Sequence, residues 1–306
     1  MIIRKMQIQG IAMYISKIAR IIKHRLIIMS YTWSKKSSSL DVLAEAFHGI
    51  AARWTGEYEP LYTYLVMFDV LRQNNVSGKG LEIGGGYSTI LLAEYSVQKK
   101  IKIQSIDVYP DKYLRIIPSR VNRRFLFKNI ERVDSLSVSF EEVQTAFGSQ
   151  LSNRIQNIGV EKFHMNLIKF VKGDNNLINQ KNNIKELGSY LLALPILDEE
   201  KKFYENNNLM RGEGYCSKLR DQGEQFDFIF FDCGEYSSLA EWFALENQIK
   251  IGGYVFLHDI YFPKSIKNFI VAAIISSSEE WEIIYIDRYS QQGGLVAKRI
   301  KNAVLY

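Results

Sequence analysis

The stretch "KGLEIGGGYSTILLAEYS", Lys79 to Ser96, constrains this chain more than any other. An apolar run reads as a buried strand, and "STILLAEYS" reads as a helix. Between them stand Gly84, Gly85 and Gly86. A strand that runs through glycines into a helix turns backbone N–H groups and the positive helix end toward one point. Glycine also lets a ligand or another backbone come close. The loop is therefore the first candidate site, and a tight turn with no ligand is the bland alternative.

The segments after it alternate. "IKIQSIDVYP" reads as a second strand ending in Asp107, "NLIKFVKGDNN" as a third ending in Asp174, and "FDFIFFDCGE" as a fourth ending in Asp232. "GGYVFLHDI" is a fifth, ending in Asp259, and "WEIIYIDRY" and "GGLVAKRI" close the chain as two more. Helices are expected at Ser237–Asn247 and Pro263–Ser276. Strand–helix alternation predicts an α/β fold, a doubly wound and mostly parallel sheet with helices on both faces. The short glycine-bearing link between the last two strands predicts a hairpin, hence one antiparallel strand among seven. Residues 118–159 and 183–222 are long for simple connections and read as insertions.

Two ligand classes compete for the glycine loop. Dinucleotide binding wants G-x-G-x-x-G/A, and Thr89 stands at the third small position. A phosphate loop wants Gly-Lys-Ser/Thr, which is absent. With "LEIGGGYS", Asp107, "VKGDNN", "FDFIFFDCGEY" and "IKIGGYVFLHDI" in this order, the chain resembles the class I S-adenosylmethionine-dependent methyltransferases from about Lys79 to Arg299. The resemblance implies a Rossmann-like fold and S-adenosylmethionine as cofactor. By the same carry-over, Glu82 faces the methionine amino end, Gly84 and Gly86 form the loop, and Asp107 accepts the ribose hydroxyls. Asp174 and Asn175 would lie near the adenine, and Asp232 is counted with the cofactor contacts.

In the cation-dependent O-methyltransferase branch, acids at the fourth and fifth strand ends hold Mg²⁺, which here means Asp232 and Asp259. Two departures stand against this: Ile260 follows Asp259 in place of an amide or acid, and His258 stands where some members have a carboxylate. Imidazole suits softer metals than Mg²⁺. His258 is otherwise a general base, given its pKa near neutrality, or a structural histidine. His258 and Asp259 are the candidate catalytic pair. The expected acceptor is a small molecule or glycan. No Asn/Asp-Pro-Pro-Tyr/Phe motif is present, which speaks against amine methylation of DNA bases, and no nucleic-acid partner is expected.

Charge is uneven along the chain. Residues 1–40 hold eight Lys/Arg and no acid. That segment carries +8 against +6 for the whole chain, so residues 41–306 carry −2. Ile8, Ile11, Ile15, Ile18, Ile22 and Leu26 recur at helical spacing beside Lys17, Arg20 and Arg25. The reading is a basic amphipathic leader and linker over 1–40, with peripheral membrane contact through residues 1–30 as one use of it. A methyltransferase-like domain follows over 41–306, helical over 41–78, where Tyr58 and Glu59 stand upstream of the loop. Cys216 and Cys233 form no metal or disulfide pattern, and a cytoplasmic setting is expected. Two further readings stay open: an inactive methyltransferase-like binding or scaffold protein at a membrane surface, and a dinucleotide-binding oxidoreductase.

Overall fold

The computed structural model describes residues 59–109, 123–173, 186–288 and 292–301. The leader and linker, Tyr58, Asp174 and Asn175 lie outside these residues.

Seven strands form one sheet: β1 Lys79–Ile83, β2 Lys102–Ile106, β3 Ile130–Val133, β4 Phe226–Phe231, β5 Ile249–His258, β6 Trp281–Asp287 and β7 Gly294–Arg299. Their order is β3-β2-β1-β4-β5-β7-β6. Strands β1 to β5 pair in parallel, and β7 runs antiparallel to both β5 and β6. The fold is the expected α/β one, with a single antiparallel strand in a seven-stranded sheet.

The helices are α1 Glu59–Gln73, α2 Tyr87–Lys99, α3 Arg123–Leu126, α4 Phe140–Thr145, α5 Leu151–Ile158, α6 Val160–Leu167, α7 Leu187–Leu192, α8 Ile196–Asn206, α9 Tyr215–Asp221, α10 Ser237–Leu245 and α11 Phe269–Ser277. A π-helical turn, Ala146–Gln150, joins α4 to α5.

Side-chain alternation sends each strand's residues to two cores. Leu81, Ile83, Ile229, Phe231, Val255 and Leu257 join the larger one, with Trp242 of α10 and Phe269 of α11. Phe228, Phe230 and Phe256 face the other way, against Tyr64, Phe68 and Leu71 of α1 and Leu91, Leu92 and Tyr95 of α2. The unbroken apolar run of β4 follows from burial on both faces. The same alternation puts Glu82, between Leu81 and Ile83, on the α2 side.

Register levels the strand ends. Ile83 is paired with Ile106 and with Phe231, and Phe231 with Leu257. The next residues, Gly84, Asp107, Asp232 and His258, therefore lie in a row along the carboxyl edge. The strand order reverses between β1 and β4, where open α/β sheets bind ligands.

One expectation is corrected. "NLIKFVKGD" is not the third strand. Helix α6 runs into a 3₁₀ turn, Ile168–Phe170, and Val171 makes an isolated bridge to Phe262. Phe163, Leu167 and Phe170 are all buried, and their spacing of four and three is helical, which outweighed the local β-branched run. The third strand is Ile130–Val133, inside the stretch read as the first insertion. It is a short edge strand bearing Glu131 and Arg132, with little apolar signal. Helix α11 also starts later than expected, at Phe269.

Trp242 is fully buried against the rings of Phe231 and Trp281, and its indole Nε1 has no hydrogen-bond partner among the described residues. Trp242→Ala should cost about 3–5 kcal/mol in denaturant unfolding. Trp242→Phe, which also removes an unsatisfied donor, should cost far less.

Candidate active site

The glycine loop is held from two sides by acids. The Gly85 amide donates to Asp107 Oδ2 at 2.8 Å. The Gly86 amide donates to Thr89 Oγ1 at 2.9 Å, and the Gly84 amide donates to the Ile106 carbonyl at 2.9 Å. Asp107 Oδ1 accepts the Tyr109 amide at 2.6 Å. Beneath the loop, Glu82 is wholly buried. It accepts hydroxyls from Ser88 at 2.6 Å, Thr89 at 2.8 Å and Ser105 at 2.5 Å. Burial pushes its carboxyl up to about 7, and the three hydroxyls pull the other way. Glu82 thus organises the first turn of α2 and, through Thr89, the loop itself.

The glycines differ in what they require. Gly84 has φ +86°, and a Cβ there would stand 2.0 Å from the Asp232 carbonyl oxygen. Gly86 is extended, with φ 177°, and a Cβ there would meet open space.

At the ends of β4 and β5 four charged side chains converge. His258 Nδ1 lies 3.3 Å from Asp232 Oδ1 and 3.0 Å from Asp259 Oδ1. Lys267 Nζ lies 3.1 Å from Asp232 Oδ1 and 3.0 Å from Asp259 Oδ2. Tyr64 of α1 donates its hydroxyl to Asp232 Oδ2 at 2.6 Å, and its ring stacks on His258 at 4.7 Å. Asp259 has φ +60°, a strained position of the kind found at functional sites. The Asn268 side chain donates to the carbonyls of Phe231 and His258. It ties the start of α11 to both strand ends and so delivers its neighbour Lys267.

Burial would lower the His258 pKa, but Asp232 and Asp259 outweigh it and raise it to about 9. Burial would raise Asp232 and Asp259 too, yet their cationic neighbours hold both below the usual carboxylate range. Burial works against the Lys267 ammonium, and the same two acids more than restore it. The acids thus favour charge on His258 and Lys267, and these in turn favour charge on the acids.

Asp232, His258 and Asp259 bring ligand atoms within 4.8 Å of one another. They do not fit Mg²⁺. Lys267 already stands between the two acids, the third donor is imidazole rather than oxygen, and a divalent ion would leave excess positive charge in a buried place.

The carboxyl edge thus brings together Glu82, Gly84, Gly86, Asp107, Asp232, His258 and Asp259. Asp174 and Asn175 lie outside the described residues, and the residue that follows the observed third strand is Asp134. Two members of the cluster escape a reading by motif. Tyr64 lies in the core stripe Tyr64, Met67, Phe68, Leu71 and looks like packing. Lys267 lies eight residues past Asp259; its signal is that two neighbouring acids require a cation nearby.

No family model and no curated protein matches the chain. Among solved structures it is similar to an O-methyltransferase from Bacillus cereus in complex with SAH, at 14% identity and TM-score 0.42, covering 88% of this chain and 96% of that one. A methyltransferase from Geobacter sulfurreducens is similar at 11% identity and TM-score 0.42, covering 90% and 96%. An O-methyltransferase from Streptomyces achromogenes involved in tomaymycin synthesis, in complex with SAM, is similar at 12% identity and TM-score 0.43, covering 90% and 96%. At such values the reading of this site rests on its own residues.

Gly84→Ala should destabilise the fold by at least about 2 kcal/mol, because it joins a left-handed φ to a backbone clash. Gly86→Ala should leave thermal unfolding within about 0.5 kcal/mol of wild type and weaken ligand binding instead. A raised histidine pKa stabilises the protonated folded state. The stability that His258 adds over His258→Gln should be full near pH 6 and fade as the pH rises through about 9. Denaturant melts across that range measure it.

Proposed function

We propose that the chain is an S-adenosylmethionine-dependent methyltransferase acting on a hydroxyl of a small molecule or sugar. The observation that supports this above the dinucleotide reading is the state of the loop amides. A pyrophosphate cradle needs N–H groups directed at the ligand. Here the amides of Gly84, Gly85 and Gly86 are donated to Ile106, Asp107 and Thr89. Acids also flank the loop, Glu82 beneath it and Asp107 beside it. Such surroundings disfavour a pyrophosphate and suit a nucleoside with a positive sulfonium. Asp107 stands at the end of β2, where ribose hydroxyls would be accepted.

When bound, S-adenosylmethionine would supply an activated methyl group, held by Asp107 and the Gly84–Gly86 loop. The acceptor hydroxyl must also lose its proton. The neighbouring acids favour the protonated form of His258, which counts against it as the base. Asp232 Oδ2 already takes the Tyr64 hydroxyl, which leaves the Asp259 carboxylate as the group that would take the proton. Holding the two reactants in line supplies much of the rate.

The second insertion reaches the region just past β4. Glu200 of α8 accepts the amides of Tyr236 and Ser237 and so caps α10, just past Asp232. Among the described residues no helix is long and apolar enough to cross a membrane.

Calorimetry with S-adenosylmethionine, its demethylated product and NADH tests the reading. The first two should bind, and NADH should not. Asp107→Ala should weaken cofactor binding at least tenfold, since charge-assisted hydrogen bonds are worth about 1.5–3 kcal/mol each. Heat from NADH alone would restore the oxidoreductase reading. No heat from any of the three would favour a binding or scaffold role.

A further inference from the structure

We propose that the ammonium of Lys267 is the resident cation of this site, holding the place between Asp232 and Asp259 that would otherwise take a divalent metal. The proposal rests on the methyltransferase reading for its purpose, but its geometry stands apart from it.

Lys267 Nζ reaches one oxygen of each acid, at 3.1 and 3.0 Å, with its side chain 17% exposed. A divalent ion coordinating those same two oxygens would sit about 2.0–2.1 Å from them if it were Mg²⁺. That places it inside the space the ammonium fills. The remaining oxygens also have close neighbours. Asp232 Oδ2 takes the Tyr64 hydroxyl, and Asp259 Oδ1 faces His258 Nδ1. A metal would have to expel the lysine from a largely buried position.

The lysine is also built into place. Its own amide donates to Ser265 Oγ at 3.2 Å. Glu235, from the loop after β4, accepts the Ser265 hydroxyl and the Ile266 amide. On the other side, the Asn268 amide donates to the Asp259 carbonyl, and its side chain ties to Phe231 and His258. The backbone around Lys267 is thus fixed to the exits of β4 and β5, the two strands that carry the acids. A solvated surface lysine has no such frame.

A cation here does what a metal does electrostatically. It favours negative charge developing on an acceptor oxygen, and it keeps the two carboxylates ionised side by side. Its limit is that it cannot exchange with solution. The site is then indifferent to chelators and to the supply of divalent ions.

The test uses the full chain and Mn²⁺ as probe, followed by electron paramagnetic resonance, with binding of the demethylated cofactor product measured alongside. Wild type should bind no Mn²⁺ at millimolar concentration, and its affinity for the product should not change on adding chelator. Lys267→Met should gain a Mn²⁺ site that Asp259→Asn in the same background removes. Lys267→Arg should stay metal-free. Mn²⁺ bound by wild type and lost in Asp259→Asn would overturn the proposal. So would Mn²⁺ bound by neither wild type nor a folded Lys267→Met. Should Lys267→Met not fold, the wild-type titration decides alone, since absence of a saturable site supports the proposal and its presence refutes it. A product that fails to bind would sink the methyltransferase reading and leave the Mn²⁺ result to stand on its own.

Discussion

The arrangement at the carboxyl edge depends on one constraint: a carboxylate taken out of water needs a partner. Four acids stand there, and each has a different solution. Glu82 is met by three hydroxyls, Asp107 by two backbone amides. Asp232 and Asp259 share an ammonium and an imidazole. Burial leaves Glu82 close to losing its charge, with a carboxyl raised to about 7 in spite of its three hydroxyl donors. Cations hold the other pair firmly ionised. The glycine-loop end of the site and the β4–β5 end differ in this respect more than in residue type.

Those partners come from elements that are far apart in the chain. Ser105 arrives on β2, Ser88 and Thr89 on α2, Lys267 on the approach to α11, and Tyr64 on α1. This explains what the sequence shows and what it hides. Glycines, acids at strand ends and apolar strands are local signals, and they locate β1, β2, β4 and β5 and the row Gly84, Asp107, Asp232, His258. The roles of those acids depend on what the fold brings to them. Glu82 reads as a ligand contact by position, yet its oxygens are engaged by the protein. His258 reads as a base by its ordinary pKa, yet two acids raise that pKa to about 9. Lys267 and Tyr64 have no motif of their own and become visible only when α1 and α11 are packed against the sheet.

The one strand misplaced by sequence shows the same physics from the other side. Ile130–Val133 is an edge strand, half solvated, and its charged residues give no alternation to detect. "NLIKFV" has the β-branched residues of a strand, but Phe163, Leu167 and Phe170 already commit the chain to a helical face. Burial of three aromatic and aliphatic side chains outweighs a preference of a few tenths of a kcal/mol per residue. Sequence pattern is most reliable where a segment is buried on both sides, as β4 is.

The internally satisfied glycine loop also bears on how a ligand would be met. A loop whose amides wait for a phosphate is unfinished until the phosphate comes, and part of the binding energy goes into ordering it. Here the turn is already closed by Asp107, Thr89 and the Ile106 carbonyl. A ligand arriving at Gly86 would find a rigid, open ledge with its shape set in advance. Binding there would spend little on ordering, so selectivity would come from fit and charge, and release of a spent ligand would not have to undo a fold.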